Sequence, residues 1–340
     1  MSLLSGLLLP WASRRIPRGN LMVLGPALYL LSLLLFSTGV PWLVAAGLVT
    51  NAAGTVTVWV SLSAYVLDFV PRQEIGRNES MRLLYGATAW TLGPYAGVLL
   101  LNRWHPAPFL LAGTFAVILI ATFLRLDLGH GKPVGAASRD RNPLAFVGRF
   151  LHRPRLVAGW LFATLRSSGW WVYIVYLPLF CITHGLGETV GGAAVSISSA
   201  LLFATPWLLR LVHRLSVRRA VRWSFAYSAT LFVLAGLLSP WPWATVVCLV
   251  LAAGGLVMLD VCGSLPFLMA VKPSERTEMA AVYSSFRDVS GILSPAIGGA
   301  ILLVAPVSAA FVACGAGLAA AWAVAGTVHP RLGRPRGGSA

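Results

Sequence analysis

Four ionisable side chains stand deep inside long apolar runs of this sequence: Arg166, Asp260, Arg287 and Asp288. Arg166 lies 11 residues from Arg155, Asp260 lies 12 residues before Lys272, and Arg287 lies 11 residues after Arg276. At about 1.5 Å per helical residue, each sits roughly 16–18 Å from a cationic boundary, near the middle of a bilayer about 30 Å thick. A charge at that depth costs at least about 2.5–3.5 kcal/mol on insertion scales, so such groups face one another or a wet cavity. Two cations and two anions at one depth suit a structural ion pair, a carboxylate that takes up and releases protons, or a counter-charge for a polar solute.

Around Arg166 the sequence is unusually aromatic, with Trp170, Trp171, Tyr173 and Tyr176. Residues 166, 170 and 173 share one helical face. A cation with two π surfaces on that face suits an amphipathic or aromatic ligand. In an earlier apolar run, Asn51, Thr55 and Trp59 line one side, and Trp59 takes the position of Asp260 at an offset of 201. Core packing is the alternative reading of that trio.

The chemistry the sequence lacks is also informative. Gly131-Lys132 is followed by Pro133, with no upstream glycine at phosphate-loop spacing, so an ATP-driven pump is not expected. No His-Glu-x-x-His pair and no nucleophile elbow occurs. Cys181, Cys248, Cys262 and Cys314 sit within apolar stretches without metal-ligand spacing and read as small hydrophobes. The expectation is a protein that is not an enzyme and carries no cofactor or metal.

The elements that must position these groups are membrane helices. Of 340 residues, 57% are hydrophobic and 11% charged, with a mean hydropathy of +0.78, against about 25% charged in a soluble domain. Ten runs are long enough to span: 21–39, 42–67, 80–101, 106–126, 156–182, 187–211, 221–239, 243–270, 279–303 and 305–327. Residues 3–12 form a stub too short to cross. Backbone in lipid must be helical or a closed barrel, and no strand pattern competes.

A net charge of +16 on a soluble chain would suggest nucleic acid. Here 23 of the 26 Lys and Arg residues occupy alternate loops, the opposite loops hold only Arg103, and two lie within spans. By the positive-inside rule the Arg-rich side, including the C-terminus, is cytoplasmic, and no nucleic-acid partner is expected. The basic segment 127–155, with Leu144, Phe146, Val147, Phe150 and Leu151 among arginines, reads either as a short interfacial helix or as a plain connector. Residues 1–126 and 156–327 are the expected bundles, with 328–340 a basic tail.

Landmarks recur about 200 residues apart. Arg14-x3-Arg18 returns as Arg214-x3-Arg218, Pro41-Trp42 as Pro242-Trp243, and Gly93-Pro94-x-x-Gly97 as Ser294-Pro295-x-x-Gly298. A near-constant offset implies two parallel copies of one multi-helix unit, as in many secondary transporters. Shifted by that offset, the first half supplies four spans and the stub against six in the second, so roughly 45 N-terminal residues, the first helix and much of the second, are expected to be absent.

With these features the chain resembles the major facilitator superfamily, an all-α membrane fold of two six-helix bundles in parallel repeat. Ser13-Arg14-Arg15-Ile16-Pro17-Arg18 is similar to the family's cytoplasmic signature, usually Asp-Arg-x-x-x-Arg, and His213-Arg214-Leu215-Ser216-Val217-Arg218 is its second-half counterpart. Both depart from it at the acidic position. The resemblance implies a cytoplasmic gate in which Arg14, Arg18, Arg214 and Arg218 latch the bundles, with Asp68 a substitute acid; topology anchoring is the other reading. Gly93-Pro94-x-x-Gly97 resembles part of a fifth-helix motif of proton-coupled drug exporters. Physically, Gly93, Pro94, Gly97, Pro295 and Gly298 suit helix bending and close packing.

The expected function is secondary active transport of a small organic solute by alternating access, with protons as partner and efflux the favoured direction. The expected cavity is lined by Arg166, Trp170, Tyr173, Asp260, Arg287, Asp288, Asn51 and Trp59. The expected setting is a monomer in the cell membrane. The alternative is a non-transporting membrane protein: a sensor, a scaffold or a transporter remnant.

Overall fold

The structure is a computed structural model that describes residues 18–69, 75–125, 148–205, 207–208, 210, 217–262, 279, 282–283 and 285–327. The 3–12 stub, Arg14, Arg214, most of the 127–155 segment and the tail from residue 328 lie outside the described residues. Among the described residues the fold is all-α. The helices are α1 (Arg18–Ser37), α2 (Pro41–Phe69), α3 (Ile75–Arg103), α4 (Ala107–Arg125), α5 (Pro154–Thr183), α6 (Glu188–Ala200), α7 (Val217–Leu237), α8 (Pro242–Cys262), α9 (Phe286–Leu302) and α10 (Val307–Thr327). Each expected span falls on one of them. Of these, α2, α4, α5, α7, α8 and α10 are long and apolar enough to cross a membrane over their described lengths.

Local chemistry sets several boundaries. Helices α2, α5 and α8 each begin on a proline, whose missing N–H is one that a first helical turn leaves unpaired anyway. Helix α5 ends in a Schellman turn: Leu186 N–H donates to Cys181 O and Gly185 N–H to Ile182 O, with Gly185 at φ +75°, a left-handed value that favours glycine. The expected helix over 187–211 is α-helical to Ala200, 3-10 from Leu201 to Ala204 and helical again at the described residues 205, 207–208 and 210. The Leu202 carbonyl accepts from both the backbone N–H and the hydroxyl of Thr205.

The described residues group into two compact units. One comprises those within Met1–Leu84 and Gly97–Arg141, the other those within Tyr85–Ala96 and Asn142–Ala340. Helix α3 therefore contributes its middle to the second unit, where Tyr95 N–H donates to Ser196 Oγ of α6 at 3.1 Å.

In lipid there is no hydrophobic drive to pair helices, so close backbone approach at small residues carries much of the packing. In the first unit α1 and α2 run antiparallel. A Cβ on Gly54 would stand 3.0 Å from the Gly25 carbonyl oxygen, and one on Gly25 would strike Val58. In the second unit α7 and α8 repeat this arrangement: a Cβ on Gly255 would stand 3.2 Å from the Ser224 carbonyl oxygen and collide with Ser228. Gly113 of α4 faces Leu33 of α1, as Gly315 of α10 faces Val233 of α7. The sequence offset of about 200 thus recurs as the same close approaches within each unit.

The second unit is organised around α5, which packs against α6, α8, α9 and α10. Its centre holds Tyr173, Phe180, Phe225, Phe232 and Phe311, all fully buried. Ahead of α5, residues 148–151 make a single helical turn that buries Phe150 against Leu156, Ala163, Met279 and Phe286 while Leu151 stays exposed.

Candidate functional site

Two helix crossings build the site in the second unit. Helices α5 and α8 run antiparallel and touch at Gly169, where a Cβ would come within 2.9 Å of Leu256. One turn before Gly169 and one turn after Leu256, this contact brings Arg166 beside Asp260. Arg166 Nε lies 3.0 Å from Asp260 Oδ1, but its N–H points off that line, so the contact is an ion pair without an aligned hydrogen bond. Arg166 Nη1 donates to Leu259 O at 3.4 Å. Trp170 Nε1 donates to the other carboxylate oxygen, Asp260 Oδ2, at 2.7 Å. One carboxylate thus binds two residues a single turn apart on α5.

The second crossing is between α5 and α9, which run parallel. Trp160 Nε1 donates to Ser285 Oγ at 3.1 Å, Ser290 Oγ to Ser167 Oγ at 2.7 Å, and Tyr176 OH to Pro295 O at 2.9 Å. A Cβ on Gly291 would touch Trp171, and one on Gly298 would collide with the Tyr176 ring. This register places Phe286 near Arg166: the guanidinium carbons of Arg166 and Arg287 lie 5.6 and 5.7 Å from its ring centroid. Arg287 is within electrostatic reach of Asp260. Asp288 stands in the first turn of α9, where the helix dipole favours an anion.

Burial differs within the group. The Arg166 side chain keeps 13% of its surface accessible and that of Asp260 keeps 33%. A void of about 10 Å³ adjoins Arg166, lined also by Phe162, Phe225, Leu259 and Cys262, about the room one water needs. By side-chain surface Asp260 is the more accessible half of the pair.

Other expected cavity residues are placed differently. Tyr173 meets Trp170 edge-on, with centroids 5.9 Å apart, but is fully buried, and its hydroxyl contacts Ala194 O and Ser198 Oγ of α6. Its polar end fastens α5 to α6. Asn51 Nδ2 donates to Ser32 Oγ at 3.3 Å, and Tyr29 OH donates to Thr55 Oγ1 at 3.0 Å, so both α2 residues engage α1. Trp59, Asp68 and Arg18 lie on described helices, but their side chains fall outside the described residues. Arg218 donates from Nη2 to Gly326 O at 2.6 Å. Pro94 lies inside α3 and Pro295 inside α9. Among the described residues no atom lies within 4 Å of where a Cβ on Gly93 or Gly97 would stand.

Sequence reasoning missed Phe286, Ser167 and Ser290. Phe286 carried a signal as the neighbour of Arg287. The serines carried one only as polar residues in step with Arg166 and Arg287.

The Major Facilitator Superfamily profile matches residues 1–295. Among characterised proteins, the chain is similar to the multidrug efflux protein YfmO of Bacillus subtilis (strain 168), with 29% identity over 140 residues. That stretch is 40% of this chain and 34% of the relative, about a third of its length. Among solved structures, a bacterial homologue of the iron transporter ferroportin, in an outward-facing state, aligns at a TM-score of 0.58 with 14% identity, over 95% of this chain and 87% of that one. The E. coli fucose:proton symporter FucP aligns at 0.51 with 15% identity, over 95% and 86%. At these identities the two structures share the fold.

Proposed function

We propose, since the chain belongs to the Major Facilitator Superfamily, that it is a secondary active transporter of a small organic solute, working by alternating access and driven by protons. The observation that carries the coupling is the shared carboxylate of Asp260, set between Arg166 and Trp170 and still one-third accessible. A proton on Asp260 cancels the charge that holds Arg166. The solute is held by the ionised carboxylate beside Arg166 and is released when the proton arrives, so proton and solute exclude one another, as efflux against an inward proton flow requires. The indole of Trp170 and the ring of Phe286 give the same place flat apolar surface, which favours aromatic or amphipathic solutes.

In this reading, ten spans form two bundles, 1–126 and 156–327, joined by the cytoplasmic segment 127–155, with the tail 328–340 on the same side of the cell membrane. The protein acts as a monomer, and Arg14, Arg18, Asp68, Arg214 and Arg218 serve the cytoplasmic gate. Efflux is favoured by the similarity to a protein named for multidrug efflux and by Gly93-Pro94-x-x-Gly97.

The test uses the full chain in proteoliposomes loaded with a pH-sensitive dye. Addition of an amphipathic aromatic solute, with ethidium and fluorescein as the cationic and anionic probes, is expected to move protons in the wild type and not in Asp260→Asn. Proton movement undiminished in Asp260→Asn, or absent with both probes in the wild type, overturns the reading.

A further inference from the structure

Helix α7 opens with Arg218, Arg219 and Arg222, and α10 runs antiparallel to it, so Trp322 and Gly326 at the end of α10 stand beside these arginines. Arg218 meets the Gly326 carbonyl, as cations near helix C-termini commonly do. The Arg222 guanidinium carbon lies 5.5 Å from the Trp322 ring centroid. A Cβ at Gly326 would meet this guanidinium at 3.8 Å, an ordinary contact, so the end of α10 lies directly against Arg222. Arg219, Arg222, Trp223, Ala226 and Trp322 enclose a cavity of about 290 Å³.

Three features of this cavity point to an anion with an apolar body. No carboxylate among the described residues pairs with these three arginines. The Nε atom of Arg222 is buried without an acceptor among the described residues, an arrangement that an incoming oxyanion relieves. Trp223 and Trp322 remain 71% and 42% exposed at the ends of two membrane spans, the level at which tryptophans meet the headgroup layer. The cavity has more room than a phosphate group alone fills, and its indole walls offer nothing to a small hydrated ion. Basic pockets between spans at this level suit lipid headgroups.

We propose that the α7–α10 cavity binds the phosphodiester headgroup of an anionic membrane lipid. Arg219 and Arg222 contact the phosphate, and Trp223 and Trp322 flank the glycerol and the start of the acyl chains. The site is separate from the Asp260 group and holds whether or not that group couples protons.

Native mass spectrometry of the full chain in detergent tests it, with phosphatidylglycerol and phosphatidylcholine of matched acyl chains. The wild type is expected to retain phosphatidylglycerol at least about tenfold better than phosphatidylcholine. Arg219→Gln and Arg222→Gln are each expected to weaken that retention about fivefold, as loss of one headgroup-level cation does. Arg219 is exposed and makes no hydrogen bond or ion pair among the described residues, so its variant remains informative if Arg222→Gln folds poorly. Equal retention of the two lipids, or undiminished retention in Arg219→Gln, overturns the proposal. Displacement of phosphatidylglycerol by millimolar inorganic phosphate also overturns it, marking a soluble-anion site instead.

Discussion

The ring of Tyr176 occupies the space that a side chain at Gly298 would need, and its hydroxyl donates to Pro295 O one turn earlier on α9. Helices α5 and α9 therefore approach closely at a point where both partners are fixed, the tyrosine buried and the carbonyl within a helix. Gly298→Ala is expected to destabilise the protein by about 1–3 kcal/mol, the usual range for overpacking. The same change made on Tyr176→Ala is expected to cost little. Thermal unfolding of the four proteins in a double-mutant cycle checks it, and additive losses count against the contact.

Asp260→Asn leaves Arg166 without its anion and is expected to cost about 3–5 kcal/mol. Arg166→Gln combined with Asp260→Asn removes both charges and is expected to regain much of that loss. Exchanging the two residues is expected to restore folding without solute-driven proton movement, because the carboxylate would then stand on α5 and lose the bond that Trp170 Nε1 donates to it across the α5–α8 crossing. Full recovery of proton movement in the exchange variant would reduce the pair to a structural role. Tm measurements together with proteoliposome assays separate the two.

Tyr29→Phe removes the bond to Thr55 that links α1 to α2. A hydrogen bond of this kind contributes about 0.5–1.5 kcal/mol, and the Thr55 hydroxyl keeps a partner in the Asn51 carbonyl, 2.9 Å away. A Tm loss at the small end of that range is expected, with Asn51→Leu costing more because it puts a branched apolar side chain in the place of the amide that faces α1, although Ser32 Oγ keeps the Tyr29 carbonyl as its acceptor. Equal, negligible effects from both would show the network to be dispensable.

Topology is open to cysteine labelling on a background in which Cys181, Cys248, Cys262 and Cys314 are replaced. An impermeant maleimide applied to intact cells is expected to reach Trp104→Cys and His184→Cys and to miss Gly135→Cys. Labelling of Gly135→Cys from outside would reverse the orientation drawn from the arginine distribution.

The fold was legible in the sequence because lipid imposes a simple code: apolar runs of spanning length must be helices, and their repeat is carried by spaced landmarks. The 3-10 turn at Leu201–Ala204 was not read, because an apolar run of spanning length carries no mark of a local change of helical pitch. At the site, the depth argument had the four charges face one another or a wet cavity, and the structure brings Asp260 to Arg166. Helical spacing could not reveal that Tyr173 turns toward α6, since a shared face says which residues are neighbours and not which helix they meet. The use of Asn51 and Thr55 to hold α1 had the same cause. Phe286 was hidden because its role arises only from the register of α9 against α5.

Only three residues, Thr38 to Val40, separate α1 from α2, and the polar groups Tyr29, Ser32, Asn51 and Thr55 satisfy one another across the pair. Entering the bilayer singly, either helix would carry these groups into hydrocarbon without those partners. During synthesis the two are therefore best inserted together as a hairpin, with α1 held at the insertion machinery until α2 has emerged from the ribosome.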